Sequence, residues 1–396
     1  MSLAVKAILL YACSLTVMSI ATISPSLPRI AEAFHRVPNV EFLTKMLLGI
    51  PALCIALGAP LAGVMVDNGH RKALLAGSLA LYALAGTSGL YLSTLPQLLA
   101  ARIVLGLAIA GIMTAAQTLI ADYFEGEERN RMMGLQGAFT ALGGVVLIAM
   151  AGFAADAWGW RAPFWLYAAS LPLLPAVLVV LREPPQDRKQ DYNTGIAPVR
   201  YATARTMPEW GVIGLICMTT FIGMAAYYTL PTQLPFYLQA LGTTESAKAG
   251  VALASANLVG GVASLLMPVL KHRLDFRWLC VIAFCSCAVG FGALSLARTY
   301  VVIVGCVLLS GFAVGLLMPT MKLWTMNTAS LAVRGKALGA MTAAMFLGQF
   351  CSPIMAQPLA QHHQGIALLY GIVGVVAFAL TCGFAATAVF QELFQE

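Results

Sequence analysis

The chain has 396 residues, of which 60% are apolar and only 10% are charged, whereas soluble globular proteins carry roughly 25% charged residues. This composition excludes an ordinary water-soluble domain, because so much apolar surface needs lipid as its solvent. The net charge of +7 does not indicate a nucleic-acid partner, since the basic residues follow the ends of apolar runs and report topology instead.

Apolar runs of about 20 residues, long enough to cross a bilayer, recur from the first residues to the last. We predict an all-α membrane protein with twelve transmembrane helices in two pseudo-symmetric six-helix bundles. The first run reaches Pro28 without a small-residue cleavage site, which favours a retained span over a signal peptide. The predicted spans are residues 5–28, 43–66, 73–93, 96–121, 132–156, 161–181, 209–238, 247–270, 277–297, 300–326, 336–360 and 365–390.

An even number of spans places both termini on one side of the membrane. Fifteen lysines and arginines fall on that side and six on the opposite side, while Arg102 and Lys322 lie inside spans. This excess predicts cytoplasmic termini and a multi-pass protein of the inner (plasma) membrane. The polar stretch 182–208 predicts a cytoplasmic linker between an N-terminal bundle, residues 1–181, and a C-terminal bundle, residues 209–396.

Matching residues recur in the two halves at an offset of about 200 residues. Because each half contains an even number of spans, the halves would run parallel, with a substrate site between them near the middle of the membrane. The matched residues are Leu27-Pro28 with Leu234-Pro235, Gly58 with Gly260, His70-Arg71 with His272-Arg273, and Gly137 with Gly339.

The loop between spans two and three contains Gly63, Asp67, Arg71 and Lys72 in register with a motif of the major facilitator superfamily, which the chain resembles over essentially its whole length. Asn68 stands where the family motif has an arginine. The resemblance implies that this motif latches helix ends on the cytoplasmic side. Span four also resembles the family, through Arg102, Gly106 and Gly111. Spans one and five resemble its drug/proton antiporter branch, through Pro25, Pro28, Gly143, Gly144 and Gly159-Trp160-Arg161.

Ionisable and polar residues inside spans are candidates for substrate binding, because their burial is expensive. Arg102 either faces the central cavity or has a structural role, and Lys322 either snorkels to the cytoplasmic interface or supplies a cavity cation. Tyr227 and Tyr228 cannot both face the cavity, since helix neighbours diverge by about 100°. The candidate substrate-binding set is Arg102, Gln117, Gln136, Tyr227, Tyr228, Gln233, Asn257, Lys322 and Gln349.

Gating and coupling candidates lie near the span ends. Pro28, Pro231 and Pro235 predict flexible gates, because proline removes a backbone hydrogen bond from a helix. No acidic residue lies between Lys6 and Arg29, where many members of the drug/proton antiporter branch that the chain resembles carry one. The candidates for proton coupling are Asp122, Asp156 and Glu32, each with a helix-end or gate role as the alternative.

Three functions fit the sequence. The first is proton-coupled export of an amphipathic compound by alternating access; the second is transport of an anionic metabolite or siderophore-like chelate; the third is a non-transporting membrane sensor. No GxxxxGK[ST] phosphate loop and no CxxC pair occurs. We therefore expect no enzyme activity, no cofactor and no metal site, and we interpret His362-His363 as solvated loop residues. The expected partners of this monomer are a small-molecule substrate, protons and membrane lipid.

Overall fold

The computed structural model describes residues 3–183, 209–330, 333–360 and 365–393. Nearly all of the predicted linker, residues 184–208, lies outside the described residues, as do His362 and His363. The predictions for those segments, including the exact division of the chain, stay predictions.

The N-terminal half is helical because a spanning segment must satisfy its own backbone hydrogen bonds in lipid. Short 3₁₀ segments at Ser24–Ser26, Thr87–Leu90 and Ala162–Ser170 interrupt or extend its helices. These helices are α1 (Leu3–Ala21), α2 (Leu27–Ala33), α3 (Val40–Asp67), α4 (Arg71–Gly86), α5 (Leu95–Tyr123), α6 (Gly126–Trp158) and α7 (Leu173–Val180).

The C-terminal half contains six long helices. They are α8 (Glu209–Ala240), α9 (Ser246–Lys271), α10 (Phe276–Leu296), α11 (Tyr300–Thr328), α12 (Arg334–Ala360) and α13 (Gly365–Leu393). Eleven segments of the described chain are long and apolar enough to cross a membrane, and α1 adds the shorter apolar stretch Leu3–Val17. The predicted all-α membrane fold with twelve spans is confirmed. We call the face that holds residues 3 and 393 the terminal face, and the opposite one the far face.

Two predicted spans are broken rather than continuous. Span one, predicted over 5–28, leaves α-helical geometry after Ala21 and resumes as α2, which ends at Ala33. Pro25 and Pro28 supply no N–H groups to the preceding turn, so the α-helical ladder loses two hydrogen bonds at this point. Span six begins as a 3₁₀ segment, in which the Leu171 N–H bonds Ala168 O at 2.9 Å, before α7 begins next to Pro172.

The predicted repeat corresponds to equivalent packing in the two halves. In the N-terminal half, Gly58 of α3 faces α5, where a methyl group at Gly58 would lie 3.1 Å from Ala110 Cβ. In the C-terminal half, Gly260 of α9 faces α11, where a methyl group at Gly260 would lie 3.0 Å from Gly311 O. Small residues therefore bring the equivalent helix pair close together in each bundle, as is usual for helices in membranes.

The halves meet along a seam at the far face. Helix α3 packs on α12 near Gly49 and Pro353, and α6 packs on α9 near Gly152 and Ser246. A methyl group at Gly152 would lie 2.8 Å from the Ser246 carbonyl oxygen, so the α6–α9 contact is nearly backbone against backbone. Toward the terminal face, the halves enclose a cavity instead.

Candidate substrate cavity and far-face seam

A central cavity of about 780 Å³ lies between the two halves and extends to Arg129 and Lys322, near the terminal-face ends of α6 and α11. Its walls come mainly from α5 and α6 on one side and from α9 and α11 on the other. The lining residues include Val17, Gln117, Thr118, Arg129, Met133, Gln136, Thr140, Tyr227, Asn257, Ser264, Val314, Met318 and Lys322.

The lining combines two cations with neutral hydrogen-bonding groups and an apolar wall. Arg129 and Lys322 are the charged residues among its described members, and no aspartate or glutamate accompanies them there. Within the described chain, neither cation forms a salt bridge. An anion in this cavity would therefore meet positive charge that no resident carboxylate neutralises.

Five of the nine candidate substrate residues line the cavity: Gln117, Gln136, Tyr227, Asn257 and Lys322. The Asn257 amide also donates to Leu253 O at 2.9 Å, one turn earlier in α9. Tyr228 points away from the cavity and donates to Leu48 O of α3 at 3.2 Å. The structure thus separates the two tyrosines, as the helical angle between neighbours requires.

Arg102 does not line the cavity, contrary to the first of its two interpretations. Its side chain is fully buried between α5 and the 3₁₀ segment of span six, where Nη1 donates to the Tyr167 hydroxyl at 3.1 Å. The guanidinium carbon lies 4.9 Å from the centroid of the Phe164 ring and 5.3 Å from that of Tyr167. These aromatic faces stabilise the cation away from the cavity, which favours the structural interpretation.

Gln233 and Gln349 also lie outside the cavity lining. Gln233 is fully buried in α8, and in the part of the chain that the structure describes neither its amide nitrogen nor its oxygen has a hydrogen-bond partner. Gln349 of α12 is nearly as buried, and its Oε1 likewise has no partner there. In this conformation, these two glutamines cannot contact a molecule held in the central cavity.

The predicted proline gate forms part of the far-face seam. Pro235 has no N–H to donate to the Pro231 carbonyl four residues earlier, so this carbonyl lacks its regular α-helical donor. The Ser24 hydroxyl of the other half donates to it at 2.5 Å. Pro28 and Pro235 both line a smaller far-face pocket of about 240 Å³, together with Arg29 and Glu32. Glu32 lies there on the exposed surface of α2.

Asp156 joins three elements across the seam. Its carboxylate accepts the backbone N–H of Ser246 at 2.9 Å and that of Ala247 at 2.8 Å, both at the start of α9. It also accepts Arg29 Nη2 at 2.5 Å, while Arg29 Nη1 donates to Ala155 O. A carboxylate at a helix N-terminus is stabilised by the unpaired N–H groups and the helix dipole. We call this arrangement the Asp156 clasp.

On the terminal face, the family-like motif bonds within the N-terminal half. Arg71 Nη1 forms an ion pair with Asp122 at 2.6 Å, and both side chains are largely buried. Glu183 accepts the backbone N–H groups of Arg71 at 2.6 Å and Lys72 at 3.0 Å, capping α4. Asp67 is exposed and has no partner in the described part of the chain.

Gly63, the first residue of that motif, lies in α3 with nothing within 4 Å of the position a methyl group would occupy. The structure therefore gives no packing reason for glycine there.

Lys45 is a buried cation and one of the six basic residues counted on the side opposite the termini. The structure places it in α3 with no exposed surface, 3.9 Å from Glu41 Oε2 and 4.6 Å from the centroid of the Phe236 ring. The sequence signal that could have placed Lys45 within a helix is its four-residue spacing from Glu41, because this spacing puts both groups on one helical face.

Comparison with known proteins places these features in a family. A model described as Major Facilitator Superfamily matches residues 8–353. A niacin transporter of Acinetobacter baylyi is 30% identical over 38% of this chain, and a chloramphenicol resistance protein of Streptomyces lividans is 30% identical over 37%. These matches span only 33% and 37% of the relatives' own lengths.

Longer matches agree with this placement. A 3-(3-hydroxy-phenyl)propionate transporter of Escherichia coli is 25% identical over 81% of this chain and 77% of its own length. The inward-facing, occupied structure of a bacterial homolog of the human lysosomal transporter Spinster superposes with a TM-score of 0.74 at 16% identity, covering 98% of this chain and 96% of that one. Because the family model matches most of its length, the chain belongs to the Major Facilitator Superfamily, whose members are multi-pass membrane transporters rather than enzymes.

Proposed function

We propose that this protein is a secondary transporter that carries an amphipathic organic anion by alternating access. The observation that carries the proposal is the charge of the central cavity. Arg129 and Lys322 both line it, whereas its described lining contains no carboxylate. A cation gains free energy when an anion approaches, and the gain is larger where the surrounding protein lowers the local dielectric constant.

The rest of the lining suits the uncharged part of such a molecule. Val314 and Met318 form an apolar wall on α11, and Met133 lies on the opposite side of the cavity. Gln117, Gln136 and the Tyr227 hydroxyl supply neutral donors and acceptors. A ligand with an aromatic or aliphatic body, a carboxylate and one or two hydroxyl groups would use all three kinds of surface.

The relatives support the same class of substrate. Niacin and 3-(3-hydroxyphenyl)propionate, named for two of them, are both aromatic molecules with one carboxylate. Benzoate is therefore a suitable probe, with benzamide as an uncharged analogue of similar shape.

The binding test uses purified protein and isothermal titration calorimetry. We expect Lys322→Gln to weaken benzoate binding by about tenfold or more, since charge-assisted hydrogen bonds contribute about 1.5–3 kcal/mol. The matched control is Lys336→Gln, which removes the same charge from an exposed position of α12 outside the cavity. Equal affinity of the wild type and Lys322→Gln for benzoate, or no benzoate binding by the wild type, would contradict the proposal.

Export of an uncharged amphipathic drug is the second candidate, supported by the apolar wall on α11 and by the match to a chloramphenicol resistance protein. The same titration separates the two functions. Under the drug hypothesis, chloramphenicol binds with an affinity that Lys322→Gln leaves unchanged, and benzoate does not compete with it.

We propose protons as the coupling ion and Asp156 as the carboxylate that carries them, with Asp122 as the terminal-face alternative. Asp156 bonds across the two halves only while the seam is closed, so adding a proton removes the charge that its three donors stabilise. Asp122 pairs with Arg71 inside one half. A charge change at Asp156 therefore couples more directly to seam opening.

The terminal face is proposed to be cytoplasmic. With Lys45 inside α3, the far face keeps five of the six basic residues assigned to it, which strengthens the bias toward the terminal face. A C-terminal green fluorescent protein fusion should fluoresce in intact cells, because this reporter folds in the cytoplasm. A C-terminal alkaline phosphatase fusion that is active instead would reverse the orientation.

A further inference from the structure

A second polar hollow lies on the far face, separated from the central cavity by the seam. It has a volume of about 760 Å³, and both halves contribute to it. His35, Asn39 and Glu41 line one side, and Phe236, Gln239 and Arg298 line the other. We call it the far-face groove.

Lys45 lies directly beneath this groove. It is fully buried and does not itself line the groove, but its two nearest partners, Glu41 and Phe236, both do. Lys45 and Glu41 belong to α3 of the N-terminal half, whereas Phe236 belongs to α8 of the C-terminal half. The Phe236 ring therefore covers the lysine only while the seam is closed.

The closed arrangement leaves the charge of Lys45 poorly compensated. Its ammonium group has no hydrogen-bond partner among the described residues, and Glu41 is 3.9 Å away with 59% of its side chain exposed. The Phe236 face supplies a cation–π contact at 4.6 Å from its centroid. Such a contact offsets only part of the cost of removing an ammonium group from water.

We infer that Lys45 is the anion-binding residue of the far-face-open state and determines substrate specificity on that side. This inference rests on the proposed anionic substrate. When α3 and α8 separate, the Lys45 ammonium enters the groove, where Arg298 already lies on the opposite wall. A carboxylate arriving from the far side would then meet two cations. In the closed state, Phe236 and Glu41 take the place of that carboxylate.

The test uses Lys45→Met, which keeps most of the side-chain volume without the charge, in proteoliposomes of defined orientation. We expect far-side uptake of benzoate to fall by about tenfold or more, as loss of a charge-assisted contact predicts. Calorimetric binding of benzoate to the central cavity should be unchanged, because Lys45 does not line that cavity. Lys248→Met, a change at an exposed far-face lysine 43% accessible in its side chain, should leave both unchanged.

A second readout needs no ligand. In a cysteine-free background, Ser24→Cys places a thiol at the buried seam, where a membrane-impermeant maleimide added from the far side reaches it only on opening. Removing the buried charge should stabilise the closed seam, so Lys45→Met should lower the labelling rate severalfold, while Lys45→Arg should restore uptake. If Lys45→Met leaves uptake and labelling at wild-type values, the inference is wrong. Equal losses of benzoate and benzamide uptake would also overturn it.

These readouts separate this inference from the proposed function. If wild-type protein binds no carboxylate in the central cavity, the proposed anionic substrate fails, whatever Lys45 does. If wild-type protein binds and transports benzoate while Lys45→Met behaves like wild type, only the role of Lys45 fails.

Discussion

Gly315→Ala is expected to prevent close packing of α11 against α9 and to destabilise the C-terminal bundle. A methyl group at Gly315 would lie 2.1 Å from the Gly260 carbonyl oxygen and 2.5 Å from Gly260 Cα. The atoms in the way belong to the backbone, which cannot change rotamer as a side chain can, so the two helices must move apart. We expect a loss of about 3 kcal/mol or more, at the upper end of what overpacking costs.

The measurement is the apparent melting temperature in detergent, together with gel filtration. Gly305→Ala is the matched control, because Gly305 lies on the same helix with nothing within 4 Å of the position its methyl group would take. That variant should stay within about 0.5 kcal/mol of wild type, as is usual for surface substitutions. A normal melting temperature for Gly315→Ala would show that α9 and α11 are not in backbone contact.

The packing has a functional side as well, since Gly260 and Gly315 both line the central cavity. The Ser264 hydroxyl donates to the Gly315 carbonyl at 2.7 Å across the same helix pair. Any variant of Gly315 that folds should therefore have a wider cavity and a weakened affinity for benzoate.

Asp156→Asn is the second substitution with a large expected effect, because it removes the charge that holds the clasp together. Asparagine keeps one acceptor oxygen, but its amide group would point donors at the Ala247 N–H group or, if flipped, at the Ser246 N–H group and Arg29. A loss of about 2 kcal/mol from the closed seam corresponds to roughly 30-fold more of the far-face-open state.

Far-side labelling of Ser24→Cys measures this shift directly. Glu245→Gln serves as the control, because Glu245 is a far-face acid next to α9 that pairs with Lys248 at the surface, 3.1 Å away. We expect faster labelling only in the Asp156 variant. Labelling at the wild-type rate in Asp156→Asn would exclude the clasp as a determinant of the closed state.

Coupling is tested separately from gating. If Asp156 carries the proton, Asp156→Asn should still exchange labelled for unlabelled benzoate but should no longer accumulate it against a gradient when a proton gradient is imposed. Accumulation that persists in this variant would transfer the coupling role to Asp122 or Glu32.

The architecture could be predicted from the sequence because the length of each apolar run can be read directly along the chain. Each predicted span overlaps a helical segment of the structure, and the residues matched in the repeat include Gly58 and Gly260, which face equivalent helices. The breaks at Pro25 and in span six were not anticipated. A proline within a span can produce either a kink or a 3₁₀ segment, and the neighbouring helices decide which one forms.

The site was harder to predict because the neighbouring helices decide whether a given side chain points into the cavity or into the protein. Gln117 and Gln136 were chosen for their polarity, and the described lining includes both, while their contact with substrate stays a prediction. Arg102 looked like a cavity cation from its position in span four, but the aromatic rings that cover it come from residues more than 60 positions later. Lys45 shows the converse, because its burial depends on Phe236 in the other half of the chain.

The missing N–H of Pro235 bears on how the far face can open at all. In a helix that gates a membrane pathway, the carbonyls normally accept hydrogen bonds from N–H groups of the same helix. Exposing one of them to a new partner breaks such a bond. The Pro231 carbonyl lacks its regular α-helical donor in every conformation, since residue 235 is proline. Ser24 can therefore give up this carbonyl to a water molecule without breaking a regular bond of α8, and we expect the far face to open with α8 intact.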